Sequence, residues 1–222
     1  MSPKTKIVAA SSGILASVLI YFAGTLEGWP LSFAKEPHRA AGVVMAQEAL
    51  KLLQPGGKLY VITRDTANFD CPAPRVQSQA FLQTVAEAHT AVDSIETIGT
   101  DPLRPLQAPY GTYSDLMRRA PKGSVIVSFM GPPVLNDEQW STVGELKVSN
   151  VVFCPGDIPA QSNLRSLLER QKVTLAVVDR PPSPEQNSTG GSERAVFNRF
   201  FAALTPAEPG PAPAPATPAK NP

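Results

Sequence analysis

Apolar positions along this chain alternate between a helical spacing and short unbroken runs. Between Glu36 and Gly57, Val43, Ala46, Leu50 and Leu53 recur every three or four residues, which predicts a helix with one apolar face. Pro37 suits its first turn, and Pro55-Gly56-Gly57 ends it. Leu59 to Ile62 are then all apolar or aromatic, the mark of a strand covered on both faces. "RVQSQAFLQTVAEAHT" returns to helical spacing, with Phe81, Leu82, Val85 and Ala88 on one side. "VDSIETIGTD" sets isoleucines among polar neighbours, as an edge strand does. Three further pairs follow: helix "TYSDLMRRAPKG" with strand "SVIVSFMG", helix "VLNDEQWSTVGELK" with strand "NVVFCPG", and helix "AQSNLRSLLERQK" with strand "VTLAVVDRPP". "ERAVFNRFFAAL" closes the series as a last amphipathic helix carrying Val196, Phe197, Phe200 and Phe201.

Strands that alternate with helices build a parallel sheet with helices on both faces. The expected fold is therefore a single Rossmann-like three-layer α/β domain over 37–204. Its mainly parallel five-stranded sheet takes the order 2-1-3-4-5, with the second strand at an edge.

The two ends of the chain differ from this domain. "MSPKTK" is followed from Ile7 to Gly24 by a stretch without charge. That length meets the lower limit of a membrane-spanning helix, about 17–25 residues. It exceeds the apolar region of a cleaved signal peptide. Residues 1–24 are thus expected to be an uncleaved transmembrane signal anchor, and 25–36 a linker. Lys4 and Lys6 favour a cytoplasmic N-terminus. The main domain is then expected outside the cytoplasm, at the cytoplasmic or inner membrane, with the membrane as a partner. Many of the 24 prolines fall in 205–222, "PAEPGPAPAPATPAKNP" included, which reads as a disordered, partly polyproline-type tail.

Composition narrows the function. A net charge of +1 and the lack of a basic stripe argue against nucleic acid. His38 and His89 show no ligand spacing, so no metal site is expected, and no cofactor motif is present. No Gly-x-Ser-x-Gly elbow occurs, and Asp137-Glu138 are adjacent on a helix and do not face each other. The chain is not expected to be an enzyme. Cys71 follows the first strand and Cys154 ends the fourth, on the same sheet edge. A disulfide between them is possible only if the Cys71 loop folds back, because the two strands are two steps apart.

"AAGVVMAQEALKLLQPGGKLYVIT", "AFLQTV", "DLMRRAPKGSVIVSF" and "VSNVVFCPG" together resemble the second lobe of the type I periplasmic sugar-binding proteins, over about Pro37 to Pro181. The resemblance implies a ligand at the carboxyl ends of the strands. It also implies a missing first lobe, whose place a homodimer or another protein partner would take. Three positions depart from the family. Met130-Gly131-Pro132-Pro133 stands where the family has Asn-Asp, Cys154-Pro155 where it has a sugar-holding Asp, and Ala80 where it has Gly. The strand ends themselves point to Arg64, Asp65, Asn68, Asp101, Asp157 and Asp179 as a ligand-binding rim, with Arg104 and Arg180 beside them. The function expected from all this is non-catalytic recognition of a small carbohydrate-like or anionic ligand, or of a protein partner. The alternative is a structural or assembly subunit that keeps the fold as scaffold.

Overall fold

A computed structural model describes residues 34–66, 71–99, 108–133, 135–143, 146–187 and 190–206. Helix α1 (Lys35–Leu52) leads through the Pro55-Gly56 turn into β1 (Leu59–Arg64). Then follow α2 (Pro72–Glu87), β2 (Val92–Ile98), α3 (Tyr110–Arg119), β3 (Val125–Ser128) and α4 (Asp137–Val143). The chain continues through β4 (Ser149–Cys154), α5 (Ile158–Gln161), α6 (Leu164–Glu169) and β5 (Leu175–Asp179). A 3-10 turn (Pro184–Asn187) precedes α7 (Glu193–Phe200) and β6 (Phe201–Leu204).

The strands form one sheet in the order β2-β1-β3-β4-β5-β6. Neighbours from β2 to β5 are parallel, in the expected order. The strand count is a correction. A sixth strand pairs antiparallel with β5, setting Asp179 opposite Phe201 and Val177 opposite Ala203. The expected last helix therefore ends at Phe200 and its final residues extend along the sheet edge. "AQSNLRSLLERQK" also divides, into α5 and α6, where Asn163 takes a left-handed φ of 49°.

Each face of the sheet carries its own core. On one face Leu59, Val61, Val127, Val151 and Val177 pack under α1, α2 and α7. On the other, Tyr60, Ile62, Ile126, Val152 and Ala176 pack under α3 and α6. β1, β3 and β4 are buried on both faces, as parallel strands between two helical layers must be. β2, at the edge, alternates half-buried and exposed residues and leaves Ile95 exposed.

The transmembrane helix expected ahead of the domain is also corrected. Among the described residues no helix is long and apolar enough to cross a membrane. The residues on which the anchor rested, 1–24, lie outside the described ones, as does the expected tail from Ala207 onward. The membrane as partner and the single-pass membrane location have no support and are given up with it.

Candidate functional site

The strand order creates one topological switch point. The chain leaves β1 toward β2 through α2 on one face, and returns toward β3 through α3 on the other. The carboxyl ends of β1 and β3 are therefore not covered by a common connection, and ligands of open α/β sheets sit in that crevice. Its walls are Arg64-Asp65-Thr66 after β1 and Phe129 to Pro133 after β3.

The β1 wall is held by the ladder. Asp65 N–H donates to Ile98 O at 2.7 Å, and Phe129 N–H donates to Ile62 O at 2.9 Å. Ile62 pairs with Ser128 and Arg64 with Ile98, so Arg64 stands one row beyond Ile62 and Ser128 on the α3 face. Arg64 is half-buried. Its Nε is sealed from solvent and has no hydrogen-bond partner. A buried donor without a partner costs about 1–3 kcal/mol. Asn68, Asp101 and Arg104, expected on the same rim, lie outside the described residues.

The β3 wall is tight and almost without side-chain hydrogen-bonding groups. Ser128 Oγ accepts from Met130 N–H at 3.1 Å and is thereby turned into the loop. Gly131 has a φ of +81°, and a Cβ there would lie 3.0 Å from the Ile158 side chain. Met130, Gly131, Pro132 and Pro133 are all buried. Behind them Tyr113 of α3 is fully buried, and its hydroxyl sits near Ser128 without meeting hydrogen-bond geometry. Burial holds the Tyr113 phenol and the Cys154 thiol well above their ordinary pKa values.

The β4 and β5 ends are largely engaged internally. Asp179 Oδ2 accepts from Gly156 N–H at 2.7 Å and so ties the two loops together. Arg180 donates from N to Phe200 O and from Nε to Phe201 O, both at 2.8 Å, bracing the turn between α7 and β6. Asp157 is exposed, just ahead of the short α5. Of the expected rim residues, Arg64 and Asp65 stand at the crevice, while Asp179 and Arg180 serve the fold.

His38 was not among the expected site residues. It lies in the first turn of α1, whose N-terminus reaches the carboxyl edge of the sheet because α1 runs against β1. The signal was the "EPHR" opening of that helix, which places a histidine at the strand-end side. His38 Nδ1 lies 3.1 Å from Nε2 of the buried Gln77 on α2, a geometry in which the amide donates to the neutral ring. Burial lowers the His38 pKa and outweighs the opposing pull of the Asp179 carboxylate. With its folded pKa depressed, the histidine supports stability fully above the unfolded pKa of about 6.5, and that support is lost as pH falls below it. Melting curves at pH 7.5 and 5.0 should therefore show a larger drop for the wild type than for His38→Gln. Equal drops would remove His38 from the account.

With this geometry in place, the chain can be set beside known proteins. No family model matches it, and no curated protein does. Solved structures do match. An arabinose-binding protein from Geobacillus stearothermophilus aligns with a TM-score of 0.51 at 14% identity, over 77% of this chain and 61% of its own. A carbohydrate transporter solute-binding protein from Agrobacterium radiobacter, in complex with D-arabinose, aligns at 0.50 and 15% identity, over 77% and 59%. The fold resembles that of the periplasmic sugar-binding proteins. The present chain spans about three fifths of the length of these two structures. At such identities the likeness concerns the fold alone.

The resemblance also locates the departures. The two stretches expected to depart from the family are here the buried Met130–Pro133 loop and the buried Cys154 followed by the half-buried Pro155. Cys154 faces the core formed with Tyr113, Ile126 and Val152. Cys71 is half-buried at the start of α2, and both thiols are free, so the possible disulfide is not formed. A thiol reagent should titrate one fast cysteine in the native protein and two after denaturation. Cys71→Ser should remove the fast one. Two fast thiols, or none before and after denaturation, would contradict this placement.

Proposed function

We propose that this chain carries a non-catalytic recognition domain that takes a small ligand at the crevice between the carboxyl ends of β1 and β3. It corresponds to the second lobe of a periplasmic-type binding protein, with the opposite wall of the cleft supplied by a second copy or another protein. The observation that carries the reading is the switch point itself, with Arg64 and Asp65 standing at the only such reversal among the described strands. The solved structures of like fold are described as solute-binding and arabinose-binding proteins, which favours binding over catalysis. No group of acidic, histidine and cysteine side chains suited to a metal occurs among the described residues. The buried Tyr113 and Cys154 are held in their neutral, unreactive forms.

The test is a thermal-shift screen of the full chain against neutral sugars, sugar acids, nucleosides and small anions. At least one compound should raise the melting temperature, since any ligand of the native state stabilises it by mass action. Thr66→Trp, which fills the β1 wall of the crevice, should abolish that rise. A folded protein that responds to no compound, or a rise that survives Thr66→Trp, would contradict the reading.

A further inference from the structure

The least balanced group at the carboxyl edge is the Arg64 guanidinium. Among the described residues the other arginines are engaged. Arg39, Arg118, Arg119, Arg165, Arg170 and Arg194 each pair with a carboxylate. Arg180 donates to Phe201 O, Arg199 donates from Nη2 to Gly190 O, and Arg75 is engaged too. Arg64 alone among the described arginines has neither an ion pair nor a hydrogen bond, although its Nε is sealed from water. It holds this position at the end of β1, where the paired strands β2 and β3 fix its backbone. A surface arginine without a partner is ordinary, because water solvates it. A guanidinium whose Nε is sealed on a rigid strand end beside a ligand crevice is held in place, and its terminal Nη groups are left for an acceptor that arrives from outside.

We infer that Arg64 is the anchor for a carboxylate group on the ligand of this crevice, an inference that rests on the recognition reading above. A guanidinium presents parallel N–H donors in a fixed fork that matches a carboxylate in two-point fashion. The rest of the edge limits the charge of the ligand. Asp65, Asp157 and Asp179 stand on the same edge, and their repulsion grows with ligand charge. A monoanion is therefore favoured over a phosphate dianion. The β3 wall, with Met130, Pro132 and Pro133 buried and Ser128 turned inward, offers little to a neutral sugar's hydroxyls. The affinity must then come mainly from the carboxylate, and the ligand class is a small organic acid with one carboxylate, sugar acids among them.

Calorimetric titration of the full chain tests this with D-glucuronate and D-galacturonate, against D-glucose, D-arabinose and inorganic phosphate. A uronate should bind, Arg64→Ala should weaken it by about tenfold or more, and Arg64→Lys should recover part of the loss. The neutral sugars should bind more weakly than the uronate. Arg64→Met should melt no lower than the wild type without ligand, which separates loss of binding from loss of fold. Neutral sugar binding that is indifferent to Arg64 would overturn the carboxylate anchor and leave the recognition reading standing. Arg64-dependent binding of phosphate in preference to the uronates would overturn the ligand class. If no probe binds and the wider thermal-shift screen is also blank, both the anchor and the recognition reading fail. An Arg64→Met protein that melts well below the wild type would show a structural role and overturn the anchor.

Discussion

Replacing Gly42 by alanine is expected to destabilise the domain by about 3 kcal/mol or more, the upper range for overpacking. In an exposed helix the same change stabilises by up to about 1 kcal/mol, because alanine is the better helix former. The sign reverses here because α1 and α2 cross in direct contact at this point. A Cβ on Gly42 would lie 2.2 Å from the Gln77 carbonyl oxygen and 3.0 Å from Ala80 Cβ. The first of these is α2 backbone, which cannot rotate out of the way as a long side chain can. Relief requires the helices to part. That would pull His38 away from Gln77 and shift the start of α2 beside the crevice. Chemical denaturation checks it. The midpoint should fall with the slope unchanged. A neutral or stabilising Gly42→Ala would mean that the two helices are not packed this closely. The alanine at position 80, where the resembled family has glycine, belongs to the same contact: the small residue that lets the helices approach is carried on α1 as well.

Phe201→Ala should cost about 3–5 kcal/mol, the range for a buried aromatic. Phe201 is 4% exposed, and its ring lies 5.6 Å from Phe153 and 5.7 Å from Phe197, centroid to centroid. Its backbone opens β6, opposite Asp179, and its carbonyl accepts from Arg180 Nε. Phe200 is only partly buried, so Phe200→Ala should cost clearly less. Denaturant midpoints of the two variants make the comparison. Equal losses would contradict the turn from helix to strand at this residue.

That turn shows where sequence reading runs out. "ERAVFNRFFAAL" places Val196, Phe197, Phe200 and Phe201 at helical spacing and ends in good helix formers, with no glycine or proline to stop it. What stops it lies elsewhere in the chain. β5 has a free edge, and Arg180 binds the two carbonyls at which the helix would continue. Tertiary partners of this kind leave no local signal. The central strands did leave one. Leu59–Ile62, Val125–Val127 and Leu175–Val177 are apolar without interruption because both faces are covered, and the sheet order from β2 to β5 followed from their alternation with helices. β2 was legible as an edge for the converse reason.

The site was legible as a place more than as a set of roles. Arg64, Asp65, Asp157 and Asp179 were all readable as strand-end residues. Their roles were not, because strand-end position does not say which side chain is spent on the fold. Asp179 is tied to Gly156 and Arg180 to β6, while Arg64 is not tied at all. His38 was missed because it belongs to the helix that precedes the first strand, and only the antiparallel packing of α1 on the sheet brings it to the same edge.

The proposed recognition takes place at the β1/β3 switch point. Amide hydrogen exchange of the full chain, with and without the compound that gives the largest thermal shift, is the test. Exchange should slow at Arg64 to Thr66 and at Phe129 to Gly131, with little change at Lys58 and Gly123-Ser124 on the opposite edge. Slowing confined to that opposite edge, or spread evenly over the fold, would contradict it.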